Sequence, residues 1–146
     1  MPAGELKMIE LKFLKLEGLR GPSDAPRHIG DIPISYYSFA DQPIVWSGFG
    51  SLPVVPRGKT VPNSRGDFTY VLIDKGADET TTPLRMAWTT GRKFATGELV
   101  IEQVTNAGQL IRTTTFKMRS LVIEAWSNLG HRDTIGLKFE RMTVVR

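Results

Sequence analysis

Along most of the chain apolar and polar residues alternate with a period of two, a spacing that puts every second side chain on one face and predicts strands. The first stretch runs from Glu5 to Leu16. Ile9, Leu11 and Phe13 share one face before Leu14 and Leu16 take the other, and this switch predicts a bulge or bend. Gly18, Gly21 and Pro22 end the strand. A second strand is expected over Ile32–Phe39, with Pro33 holding its start at a sheet edge because proline cannot donate to a ladder. A third covers Asp67–Asp74. It is apolar on both faces from Tyr70 onward, which places it centrally between two layers.

The period changes once. Leu84, Ala87 and Trp88 fall at i, i+3 and i+4, Thr82 stands at the N-cap position, Pro83 suits the first helical position, and Gly91 suits a left-handed C-terminal cap. A short helix with one buried face follows, and Trp88 is expected inside that face. Glu98–Val104 and Gln109–Trp126 then read as a hairpin around Asn106-Ala107-Gly108. In its long second arm Phe116, Met118, Val122 and Trp126 are the expected buried set. Its odd positions turn from Thr113, Thr115, Lys117 and Arg119 to Leu121, Ile123 and Ala125, so a bend is expected near Arg119–Leu121. A last strand spans Thr134–Val145. The expected class is all-β: a two-sheet β-barrel or sandwich with one short flanking α-helix and a long extended loop, forming one domain over residues 1–146.

That loop runs from Ala40 to Gly66, where Pro43, Pro53, Pro56 and Pro62 leave no room for a regular element. It nevertheless carries Trp46, Phe49, Leu52, Val54 and Val55. Apolar clusters on a long loop mark an interaction surface or a flap folded over the chain's own core, and composition alone leaves both open.

Charge adds little to this picture. Net charge is +4, yet Lys/Arg against Asp/Glu run five to six in residues 1–50, seven to five in 51–100 and seven to four in 101–146, with no basic block. Nucleic acid is therefore not the expected partner. The sequence has no cysteine, which removes disulfides, thiolate catalysis and cysteine-ligated metals. No apolar run approaches the roughly 20 residues that span a bilayer, and Met1–Leu16 has no apolar h-region of a signal peptide.

Catalytic chemistry is not expected either. His28 and His131 are the only histidines, far apart in sequence and both among turn residues, where solvated side chains are expected. Gly58-Lys59-Thr60 lacks the earlier glycine of a phosphate loop, and Pro62 blocks the helix that would follow. Arg65-Gly66-Asp67 reads as a turn, and the Asp78-Glu79 pair as a complement to the helix dipole. No catalytic, metal or cofactor residue is assigned.

The order of segments resembles the Hcp family, the haemolysin-coregulated proteins of type VI secretion systems. It rests on Leu16-Glu17-Gly18-Leu19-Arg20-Gly21, on Ser35-Tyr36-Tyr37-Ser38-Phe39, and on Phe68-Thr69-Tyr70-Val71-Leu72-Ile73-Asp74-Lys75. Ala87-Trp88-Thr89-Thr90-Gly91-Arg92 and Asp133-Thr134-Ile135-Gly136-Leu137-Lys138-Phe139-Glu140-Arg141-Met142 complete it. The resemblance implies a barrel with a flanking helix, homohexameric rings, and stacking of rings into a hollow tube that a contractile sheath expels. It also implies sheath, spike and effector proteins as partners, without membrane insertion, and assembly in the cytoplasm before secretion without a signal peptide. The chain is somewhat shorter than the family pattern. Two other readings stand beside this one: a monomeric secreted effector or binding module on the same barrel, and a small barrel binding single-stranded nucleic acid with Tyr36 and Tyr37 as stacking platforms.

Overall fold

A computed structural model describes residues 7–41, 45–46, 53–54 and 69–146, with the backbone alone at 45–46 and 53–54. The alternating stretches form strands β1 (Met8–Leu16), β2 (Ile32–Pro33), β3 (Tyr36–Ala40), β4 (Val45–Trp46), β5 (Pro53–Val54) and β6 (Tyr70–Gly76). Helix α1 (Thr81–Thr90) follows, then β7 (Lys93–Thr105), β8 (Leu110–Leu129), β9 (Arg132–Lys138) and β10 (Arg141–Val145).

All main pairings are antiparallel, in the order β2-β1-β7-β8-β9-β6-β3, with β10 also on β8. The expected strand over Ile32–Phe39 is divided between the two ends of this path. Its first part pairs with β1 and its second with β6, and between them the Ile34 N–H donates to the Lys12 carbonyl (3.1 Å) and the Ser35 N–H to the Asp74 carbonyl (2.8 Å). One continuous segment thereby joins both edges, so the sheet closes into a barrel.

Leu14, Phe39, Val71, Ile73, Leu99, Phe116 and their neighbours fill the interior. The bulge expected in β1 is absent, since its register with β7 is unbroken from Met8↔Thr105 to Leu16↔Gly97. Both faces are covered instead: Leu14 and Leu16 point into the barrel, while Phe13 lies under the loop that follows. The bend expected in β8 is present. Phe116 and Met118 point inward before Ser120 and Leu121 and Ile123 after it, and Ser120 itself adopts φ 56°, a left-handed conformation that non-glycine residues take only under constraint. On the same stretch β8 exchanges β10, paired through Arg119, for β9, paired from Val122.

The helix begins earlier than the sequence indicates. Thr80, not Thr82, is at the N-cap and makes no side-chain cap bond; the Asp78 carboxylate accepts the Thr80 N–H at 2.7 Å. Gly91 ends α1 in the left-handed region (φ 67°), as expected. Leu84 and Ala87 are buried against the barrel, but Trp88 is not: it is 41% exposed and stacks on Trp126 of β8, ring centroids 6.2 Å apart. The stripe is narrower than i, i+3, i+4 spacing implies, because β8 presents a half-buried indole there and not a groove. The loop over Ala40–Gly66 is also not wholly without regular structure, since β4 and β5 form a two-stranded antiparallel pair inside it.

These placements rank two substitutions. Leu84→Ala is expected to cost about 2–5 kcal/mol as a buried truncation, and Trp88→Ala only about 1–2 kcal/mol, for partial burial and one aromatic contact. Urea midpoints of the two variants check this, and an equal or larger loss for Trp88→Ala would contradict it.

Candidate functional site

Two buried ionic clusters hold the barrel in shape. The first lies at the end where β6 meets β9. Val71, Ile73 and Lys75 alternate onto the inner face of β6, and Asp133, Ile135 and Leu137 onto that of β9, so Lys75 and Asp133 oppose each other across the ladder. Both are fully buried and their charges meet at 3.0 Å. The Lys75 ammonium also reaches Asp78 (3.1 Å) and the Gly76 carbonyl (2.9 Å). Asp133 accepts from the Thr81 hydroxyl of α1 (2.6 Å) and the Asn128 amide of β8 (2.7 Å). Burial pushes the Asp133 carboxyl up, but the hydrogen bonds from Thr81, Asn128 and Lys75, with the Lys75 charge, outweigh it and hold it below the usual carboxylate range.

The second cluster pins the loop between β1 and β2. His28 is buried, not solvated as expected: its ring stacks on Phe13 at 4.0 Å, and Nδ1 lies 2.9 Å from Asp31. Its Nε2 lies 3.1 Å from the buried Glu102 of β7, without the alignment of a hydrogen bond. The Arg27 guanidinium spans both Glu102 oxygens at 3.0 and 3.3 Å. For Glu102, burial raises the pKa, while Arg27 and His28 lower it further, leaving the carboxyl below its usual range. Gly21 permits the loop to close, since a Cβ there would collide with the Asp31 carbonyl. His131 is exposed.

These clusters fix a four-stranded face, β1-β7-β8-β10, whose two edges are open among the described residues. β10 pairs only with β8, and β1 meets β2 only at Phe13 and Leu14, so Met8–Leu11 has no neighbour on that side. The outward side of this face carries Thr96, Thr115, Lys117, Arg119, Arg141 and Thr143. Of the apolar loop residues, Trp46 and Val54 fall in the β4–β5 ladder, opposite Pro53 and Val45. Phe49, Leu52 and Val55 lie outside the described residues, as do Gly58-Lys59-Thr60 and Arg65-Gly66-Asp67. The described residues contain no group of three or more His, Asp or Glu placed to hold a metal ion, and no helix long and apolar enough to cross a membrane.

A closed antiparallel barrel, one flanking helix and an open-edged face can be compared with known proteins. The family described as "Type VI secretion system effector, Hcp" matches residues 13–145. The chain belongs to the Hcp family. Among solved structures, Hcp2 from Salmonella typhimurium is 18% identical with TM-score 0.65, covering 92% of this chain and 84% of that one. Hcp1 from the same organism is 15% identical with TM-score 0.66, covering 92% and 91%. A type VI secretion system effector from Yersinia pestis is 15% identical with TM-score 0.65, covering 91% and 87%. At these identities the likeness is one of fold. No curated protein matches the sequence.

The buried charges of this Hcp chain went unassigned in the sequence, although the parity of β6 and β9 points Lys75 and Asp133 inward with Ile73 and Ile135. Asp133→Asn should destabilise the protein by about 3 kcal/mol, the low end for breaking a buried pair, because Asp78 remains near Lys75. Lys75→Met with Asp133→Leu should recover most of that loss. With folded pKa values below the unfolded ones, Asp133 and Glu102 stabilise fully above about pH 4 and progressively less as pH falls through their folded values. Urea midpoints at pH 7 and pH 3 should show a smaller acid loss in Asp133→Asn than in the wild type.

Proposed function

We propose that this chain is a tube subunit of a type VI secretion or related contractile machine, a single Hcp-like domain that assembles as homohexameric rings and stacks them. The observation that carries the reading is the open-edged face. Because β1, β7, β8 and β10 are successively antiparallel, β10 of one subunit and the free half of β1 of the next run antiparallel and can extend the ladder head to tail. Such a heterologous contact either closes into a ring or grows without end, and closure leaves no edge exposed. The sheet's inner side is covered by β9, β6 and β3, so in a ring those strands lie outward and the Lys117–Arg119 side faces the bore. The apolar loop residues Trp46, Phe49, Leu52, Val54 and Val55 are assigned to contacts between subunits or between stacked rings, where prolines reduce the entropy lost on docking.

No catalytic step is part of this function. Sheath, spike and effector proteins are its partners, with assembly in the cytoplasm before export. Single-stranded nucleic acid fits poorly: Tyr36 and Tyr37, adjacent on one strand, point to opposite faces, and Tyr37 packs beside Phe39 and Phe116.

Light scattering on the purified chain is expected to give six times the chain mass, and a monomer at high protein concentration would overturn the reading. Replacing residues 46–65 by a glycine-serine linker should keep the barrel folded while shortening or abolishing tubes in electron micrographs. Tubes of unchanged length and abundance would remove the loop from the stacking contact.

A further inference from the structure

Lys117 and Arg119 stand two apart on β8, on the same outward side, and Arg141 of β10 is directly opposite Arg119 in the ladder. Like charges placed opposite each other destabilise a sheet unless something sits between them. All three side chains are exposed, and none makes an ion pair or donates a hydrogen bond among the described residues. Some other surface cations are paired, Arg27 with Glu102, Arg132 with Asp74 and Lys15 with Asp31, whereas Lys93 and Arg112, like the three, are unpaired among the described residues. What marks the strip is the placing of three such cations together, two of them directly opposite. With Thr143 and Val145 the three line a groove of about 410 Å3, and Lys117 and Arg119 also border an adjoining one of about 320 Å3. The groove of Lys117, Arg119 and Arg141 has no carboxylate in its lining, and the adjoining one has Glu98, opposite Lys117 on β7, and Glu17, beside the cation Lys15.

We infer that this strip is a docking surface for an acidic polypeptide segment. Its position in the bore rests on the ring reading above; the surface itself does not. A guanidinium can donate two hydrogen bonds to one carboxylate, and a carboxylate between two arginines that are opposite in the ladder relieves their mutual repulsion. Side chains between the cations decide against nucleic acid. They are Thr96, Thr115, Thr143 and Val145, with no aromatic face on which a base stacks. Sixfold repetition around a ring would turn three weak contacts per subunit into a continuous basic belt, with avidity for a segment that touches several subunits at once.

The test uses fluorescein-labelled poly-glutamate of twenty residues and oligothymidylate of matched charge, by anisotropy at low and moderate salt, with light scattering on the same samples. The intact protein should bind poly-glutamate more tightly than oligothymidylate, and binding should weaken as salt rises. The variant Lys117→Gln/Arg119→Gln/Arg141→Gln, all at exposed positions, should lose about tenfold in affinity, since exposed ionic contacts are individually weak. Lys93→Gln/Lys138→Gln, which removes two charges elsewhere, should bind as the wild type does. Equal binding by the triple variant, equal loss in the Lys93/Lys138 control, or tighter binding of oligothymidylate would each overturn the inference. Rings that form but ignore poly-glutamate overturn it while leaving the ring reading intact; a monomer that binds poly-glutamate through these residues overturns the ring reading and upholds the surface.

Discussion

The barrel depends on one buried ion pair. Lys75 and Asp133 have left water completely, a transfer that costs several kcal/mol per ion and is offset only if every remaining valence is satisfied. Here it is: Asp133 gathers one donor each from β6, β8 and α1, so a single carboxylate fixes the relative position of three elements that local sequence does not tie together. An apolar plug of equal volume would fill the space without dictating where Thr81 must begin the helix. The His28–Asp31–Glu102 cluster does the same for the loop before β2, and β2 is where the sheet is closed. Geometry at the far edges of the open face is thus set by interior charges.

The sequence made much of this legible. Alternation located the long strands, because period two is a direct image of a sheet with one face buried, and the change of parity in β8 announced its bend. The single last strand expected over Thr134–Val145 is instead two, β9 and β10, with different pairings. The resemblance to the Hcp family, carried by ordered segments such as Leu16–Gly21 and Asp133–Met142, agrees with the family match over residues 13–145. Other expectations failed, among them the undivided strand over Ile32–Phe39 and the Thr82 cap, and three of the failures have a plain physical reason. Parity in β1 was read as a bulge because a strand covered on both sides looks the same as one that switches faces. Trp88 satisfied helical spacing, but spacing does not say whether the surface opposite has a pocket or another half-exposed ring. His28 was set among turn residues, yet a loop of Gly, Pro and Asp folded back over Phe13 and buried it between two carboxylates. Partners seventy and more residues away, as Glu102 is from His28, leave no trace in local pattern. The apolar loop residues Trp46, Phe49, Leu52, Val54 and Val55 are legible only as a composition, and their role stays with the proposal on stacking.

The twenty-residue β8 also fixes how the molecule bears load. It is paired with β7 along most of one edge, and with β10 and then β9 along the other. A pull along this strand therefore meets many hydrogen bonds at once, in shear, and cannot open them one after another as a zipper opens. The spine is interrupted at Ser120, where φ is positive and the partner changes, and again between Ile123 and Ala125, where the register with β9 shifts. A piston built from such subunits would be stiff along its strands and yield first in the short stretch from Ser120 to Ala125.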